Sequence, residues 1–274
     1  MLSEYQMIYY LKLTLFSLSV FIGGCATSPN SVAFRGCNYI TPTTLKIKGT
    51  ISAETAKCIK QGSPAIVDTL LVDTEGGNVR AAIIIANLLE SHPHVIVEGQ
   101  CNSSCANYII PVARELTLEK SAAVSIHGSI NNVFVERNRE AAALEHRAIF
   151  DALEKTAEIQ LDFARKNNIH PGWLMVEGPG TFGTSVLSPY LTGDVEELTL
   201  FESPARLEKI LVDELLLQSC FPNLKINTFV DTYVQKLRIS KRLKKHAVEN
   251  YVFPSGKLVC KPMDVNDYYR NQKL

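Results

Sequence analysis

Apolar residues fall along this chain in short runs set apart by polar or glycine-rich breaks. TLKIKGTIS (44–52) alternates with a period of two and predicts a strand. AETAKCIKQG then predicts a helix with an exposed basic edge, stopping at Gly62. DTLLVDT (68–74) is short and apolar, as a buried parallel strand should be. Glu75-Gly76-Gly77-Asn78 breaks it, and VRAAIIIANLLES reads as a buried helix. HVIVEG (94–99) predicts another strand, SSCANYIIPVA a second helix, and ELTLEKSAAVSIHG one or two more strands.

Strand, glycine turn, helix, strand, serine turn, helix, strand is the alternation of an α/β fold with a parallel sheet and right-handed crossovers. In such sheets active groups gather at the carboxyl ends of the strands. The turns 75–78 and 100–104 both lie there, and so does His127.

Beyond His127 the pattern changes. Residues 135–168 are rich in Ala, Glu, Leu and Arg and predict one long helix, closed by Asn167-Asn168 and His170-Pro171-Gly172. GPGTFGTS (178–185) reads as a loop, and 195–212 as a strand or short helix returning to the sheet. From about Leu215 the chain reads as helical, with a basic run, KLRISKRLKKHA (236–247), before a polar tail. Such a run is usually a solvated helix face, with contact to anionic lipid headgroups as the alternative. There is no internal repeat.

The N-terminus is set apart from the fold. Lys12 precedes a short, mostly apolar run, LTLFSLSVFI (13–22), too short to span a bilayer, which takes about 20 apolar residues. Gly23-Gly24-Cys25 follows. IGGC resembles a bacterial lipobox, which implies an export signal over 1–25 and lipidation of Cys25, with an uncleaved membrane anchor as the alternative. Glu4 is out of keeping with a signal's charged region, so translation from Met7 would leave a cleaner one. Ala26 beside the cysteine resembles the pattern of outer-membrane retention. Residues 26–40 read as a tether.

Of seven cysteines, six remain once Cys25 is assigned to lipid. An oxidising compartment favours pairing them. Proximity in the chain suggests Cys37–Cys58, Cys101–Cys105 and Cys220–Cys260, although sequence alone leaves other pairings open. A zinc site competes, but the spacing lacks a second close pair of ligands. With 28 basic and 28 acidic side chains among 274 residues, nothing in the charge calls for nucleic acid as a partner.

The candidate chemistry lies in GQCNSSCAN (99–107). A serine on a sharp strand-to-helix turn exposes its hydroxyl beside the free N–H groups of the helix start. It needs a base, usually histidine, and preorganised donors for the oxyanion. A glycine turn on the neighbouring strand can bring a second N–H close, because no Cβ intervenes. The alternatives are plainer: Ser103 caps a helix, His127 is a bonded core histidine, and the glycines make a tight turn. Ser104 is a second candidate nucleophile, one residue out of register. Cys101 and Cys105 are weaker ones, since a disulfide would hold both sulfurs. His92, His94, His146, His170 and His246 have no partner spacing and read as surface or structural residues.

EGGN before a helix, then GQCNSSCA, then SIHG, resembles the core of the Clp protease, signal-peptide peptidase and crotonase superfamily. It is closest in layout to the Clp proteolytic subunit and, more narrowly, to exported bacterial proteins of this kind. The resemblance covers roughly 45–128 and implies a Clp/crotonase-like domain over 41–212. Within it would lie a twisted parallel sheet and a long handle helix, followed by a small helical extension over 213–274. It implies Ser103 as nucleophile, His127 as base 24 residues later, and the amides of Gly77 and Ser104 as oxyanion donors. The family's orienting Asp would fall near 188–194, where Ser188 is closest in position and Asp194 is the nearest acid; a Ser–His dyad, or a triad with another acid, is the alternative. Glu75 stands where the family often has proline.

The expected function is a lipid-anchored serine hydrolase of the cell envelope, facing the periplasm and acting on polypeptide. It needs neither metal nor organic cofactor, and relatives' rings and trimers imply self-association. The alternative is a non-catalytic envelope lipoprotein that binds another envelope protein with the same scaffold. A crotonase-type thioester enzyme has less support, because its substrates are cytosolic and its chemistry needs no serine.

Overall fold

Thr44–Ile51 (β2) and Thr69–Gly77 (β3) pair in parallel, and His94–Asn102 (β4) adds to β3 in parallel. Along these three strands one face is apolar: Leu45, Ile47, Leu70, Val72, Val95 and Val97 are all fully buried. The alternate residues face outward, where Lys46 and Glu98 pair at 2.6 Å. The two-residue period of a pleated strand thus gives one sheet a buried face and a partly exposed one, which also carries Leu71 and Ile96. Ala53–Gly62 (α1) and Val79–Leu88 (α2) follow β2 and β3. Asn78 caps α2, its side-chain oxygen accepting from the Ala81 N–H at 2.9 Å.

These features come from a computed structural model, which describes residues 36–62, 66–129, 147–174, 190–193, 195–198, 208–231, 234–235, 250–254 and 258–271. They belong to one unit, Arg35–Leu274. The architecture is mixed α/β, with a mostly parallel central sheet flanked by helices.

The sheet forks at β4. Its first half pairs with Glu115–Leu118 (β5) and its last residues with Ala123–Ile126 (β6), both in parallel. Three of this sheet's pairings among the described residues are antiparallel. Cys37–Thr41 (β1) lies on β2, Glu208–Leu211 (β9) on β6, and Val195–Leu198 (β8) on Asn250–Pro254 (β11). The β1 strand corrects the expected tether over 26–40, whose last residues form a hairpin with β2.

Two strands run further than expected. The β3 strand passes through both glycines to Gly77, and β4 reaches Asn102 rather than ending at Gly99. Irregular pairing absorbs the extra residues: Gly49 faces Thr74 while Thr50 faces Gly76, and Val72 faces Val97 while Thr74 faces Cys101. Bulges of this kind bend a strand and re-aim its end.

The helix expected over 103–113 is instead a π-helical turn, Cys105–Ile109, followed by a 3-10 turn, Ile110–Val112. Pro111 has no N–H to give an α-helical ladder. The Ile110 N–H bonds back to the Cys105 carbonyl, five residues away.

Arg147–Lys166 (α3) forms the described part of the helix expected over 135–168, and residues 135–146 lie outside the described set. The segment 195–212 supplies strands β8 and β9, with no helix among its described residues.

The C-terminal extension is not simply helical. Glu214–Cys220 (α5) and Val265–Asn271 (α6) are helices. Lys225–Thr228 (β10) pairs with β5, however, and β11 lies between β9 and β8 within the main sheet. Val259–Cys260 (β12) pairs with Leu191–Thr192 (β7). These strands are short, and their partners are far away in sequence.

Candidate active site

The end of β4 leads directly into the serine turn. Asn102 closes the strand, and Ser103 turns the chain with φ 57°, a left-handed conformation uncommon for a residue with a Cβ. Both of its main-chain groups are engaged. Its N–H donates to the Ser125 carbonyl on β6 at 2.9 Å, and its carbonyl accepts from the Asn107 N–H at 2.8 Å.

His127 immediately follows β6. Its Nε2 lies 2.5 Å from Ser103 Oγ, and its Nδ1 lies 2.8 Å from the Gly128 carbonyl oxygen. A carbonyl can only accept, so Nδ1 carries the proton and Nε2 is left to accept from the serine hydroxyl. Ser103 and His127 are half-buried.

Ser104 is different. It is 1% exposed, and its Oγ is buried without a hydrogen-bond partner among the described residues. Of the two candidate hydroxyls, only that of Ser103 meets the imidazole.

The glycine turn packs against this elbow. Gly76 has φ +86°, and a Cβ there would lie 2.7 Å from Ser103 Cβ and 2.9 Å from the Ser104 nitrogen. It would also strike the Asn102 carbonyl oxygen. Only glycine lets the strands approach so closely while holding that φ. Gly77, at φ +145°, packs against Ile51 of β2.

Several polar residues that sequence reading did not single out support the turn. Asn102 is buried; its Oδ1 accepts from Ser125 Oγ at 2.8 Å, and its Nδ2 donates to Gln100 Oε1 at 3.0 Å. Asn107 Nδ2 donates to the His127 carbonyl at 2.9 Å. Trp173, fully buried in the short helix Pro171–Leu174 (α4), donates its indole N–H to the Ala106 carbonyl at 3.2 Å. The signal for Asn102 and Asn107 lies within GQCNSSCAN itself, while nothing local marks Ser125 or Trp173.

The structure joins Cys37 to Cys58, Cys101 to Cys105 and Cys220 to Cys260. The second disulfide brackets Ser103 and Ser104. The third lies beside His170, and this is a grouping with metal-ligand chemistry. Its sulfurs are joined, however, and both His170 nitrogens are bonded, Nε2 to the Lys261 carbonyl at 2.8 Å and Nδ1 to the Gly172 N–H at 3.0 Å. Asp194, Ser188, His146, His246 and Cys25 lie outside the described residues. No described helix is long and apolar enough to cross a membrane.

No family model matches the chain, and no curated protein matches it. Among solved structures the chain is similar to a mutant ClpP1 from Listeria monocytogenes, at 16% identity and a TM-score of 0.32. The match covers 46% of this chain and 72% of that one. No catalytic role passes from that protein to this one.

Proposed function

We propose that this chain is a serine hydrolase of the peptidase kind. Ser103 attacks a carbonyl carbon and His127 Nε2 takes its proton. The imidazolium then returns the proton to the leaving group. The oxyanion is held by the main-chain N–H groups of Ser104 and Gly77. The Ser104 N–H belongs to the first turn after the elbow, where such groups have no intrahelical acceptor. The Asn78 N–H is already engaged, donating to the Ile51 carbonyl at 2.9 Å, and the Gly77 N–H is the donor of the glycine turn that packs against the elbow through Gly76. The Gly128 carbonyl orients the imidazole through Nδ1–H, and Asp194 is our candidate for an acid that would share that role.

One observation carries this reading: a serine at φ 57° on a strand-to-turn elbow, with its Oγ 2.5 Å from an imidazole nitrogen. A capping serine has no need of that backbone strain or of that partner. The substrate would be a polypeptide. Lipidated Cys25 would anchor the protein to the envelope membrane on its periplasmic side, and self-association would accompany this, as the sequence resemblance suggests.

The test is covalent labelling with a fluorophosphonate probe. The full-length protein should be labelled, Ser103→Ala should not, and Ser104→Ala should keep labelling if it folds. Absence of labelling in the unaltered protein would remove the hydrolase reading and leave a binding scaffold. The anchor is tested separately, by whether Cys25→Ser releases the protein from the membrane fraction; continued membrane retention would count against it.

A further inference from the structure

The Cys101–Cys105 disulfide closes a ring of five residues around Ser103. Cys101 sits within β4, facing Thr74 of β3 and Val124 of β6, and Cys105 is the first residue of the π-helical turn. Both are fully buried, and their Cα atoms lie 5.2 Å apart. The bond therefore ties the end of a central strand to the start of the turn that follows it, across the one strained residue between them.

Its length in sequence sets it apart from the other two. A disulfide restrains the unfolded chain more as the loop it closes grows. Here the separations are 4 residues, against 21 and 40 for the other pairs. The shortest bridge does least for global stability by this route, and its effect is local. What it fixes locally is the frame of both reactive groups. The turn begun by Cys105 carries Asn107, whose main-chain N–H holds the Ser103 carbonyl and whose side chain holds the His127 carbonyl.

We propose that the Cys101–Cys105 disulfide is the positioning device of this site, holding Ser103 in the φ-positive conformation that faces His127, so that opening it disengages the pair while the domain stays folded. The inference rests on the reading of Ser103 as nucleophile. Two reduced cysteines in these buried positions behave as small apolar residues, so the surrounding core retains its packing. Opening by a dithiol breaks one S–S bond and forms two S–H groups. The two electrons and two protons come from the dithiol, which closes to its own disulfide.

The experiment compares the full-length protein with Cys101→Ala/Cys105→Ala and with Cys37→Ala/Cys58→Ala, whose bridge joins β1 to α1. Labelling is measured below each protein's melting temperature, where circular dichroism shows it folded. The first variant should label about 100-fold more slowly, the loss expected when a reacting group is misplaced by roughly 1 Å. The titration of the His127 imidazole, read by nuclear magnetic resonance, should change with it. The second variant should melt earlier but label at the unaltered rate. If the first variant fails to fold, stepwise dithiol reduction of the unaltered protein replaces it, with each freed thiol alkylated and located by mass spectrometry. Labelling should then fall with the fraction of Cys101–Cys105 opened.

Unchanged labelling with an unchanged His127 titration, in folded protein with this bond open, overturns the proposal. If the unaltered protein is never labelled, the hydrolase reading fails instead. The His127 titration still decides whether the disulfide sets the Ser103–His127 geometry.

Discussion

Ser103 holds its hydroxyl against His127 by standing in a backbone region that glycine enters freely and serine does not. Strain of this sort costs about 1–3 kcal/mol and persists only where the surroundings over-determine it. Here they do, through main-chain bonds to Ser125 and Asn107 on either side and the close seat against Gly76. Two substitutions separate strain from chemistry. Ser103→Ala removes the hydroxyl and keeps the Cβ in its unfavourable place. Ser103→Gly removes both, though it frees the unfolded chain as well. We expect both to abolish labelling, with Ser103→Gly more stable than Ser103→Ala by about 1 kcal/mol in urea denaturation. Equal stabilities, or a less stable glycine variant, would mean that the elbow stores no strain.

At the scale of elements, three strands meet beneath the turn, and Asn102 stitches two of them together. Its bond to Ser125 joins β4 to β6 in a fully buried place, so removing either partner strands the other. Asn102→Ala should therefore cost about 1–3 kcal/mol. Asn102→Ala/Ser125→Ala should cost less than the two single changes added together, as a double-mutant cycle in urea would show. Strict additivity would rule out the stitch. The alternation of TLKIKGT and the run HVIVEG were enough to find β2 and β4, because a half-buried strand writes its period directly into the residues. GQCNSSCAN and SIHG brought forward Ser103 and His127 as candidates, Ser103 by where the family resemblance aligns Gly99-Gln100 and His127 by its place at a strand end. The π-helical turn was not legible, since its apolar residues suit any helix and only Pro111 hints at a break. Nor were β10 and β11: KINT and NYVFP become strands because distant partners, β5 on one side and β8 and β9 on the other, complete their hydrogen bonds. Ser125 and Trp173 earn their places through contacts that no local pattern encodes.

For the molecule as a whole, the residues after α3 brace the candidate site from behind. Trp173 holds the turn that follows Ser103, and the Ser129 N–H and hydroxyl both donate to the Leu174 carbonyl, at 2.8 and 2.7 Å, fixing the chain just past His127. The short helix α4 that carries Trp173 and Leu174 is itself held by His170, through Lys261, and Phe221 packs edge-on against Trp173 at 4.9 Å. The C-terminal region, anchored by Cys220–Cys260, thus reaches the site through the buried His170 imidazole and the Phe221 ring. Burial pushes the pKa of His170 below its ordinary value of 6.5, against the smaller opposing pull of the Lys261 carbonyl. With Nδ1 accepting and Nε2 donating, the folded state needs the ring neutral. As the pH falls below 6.5, the unfolded chain takes up a proton that the folded chain resists. The His170 contribution to stability is therefore complete above that pH and drains away below it, down to the depressed folded value. The melting temperature should fall on acidification from pH 7 toward about 5, and His170→Gln should start lower and show a shallower fall over that window. Carboxylates protonate over part of the same range, but they do so in both proteins, so the difference between the two curves isolates the imidazole. Parallel curves would mean that His170 is not held neutral and that the brace behind the site does not depend on its protonation state.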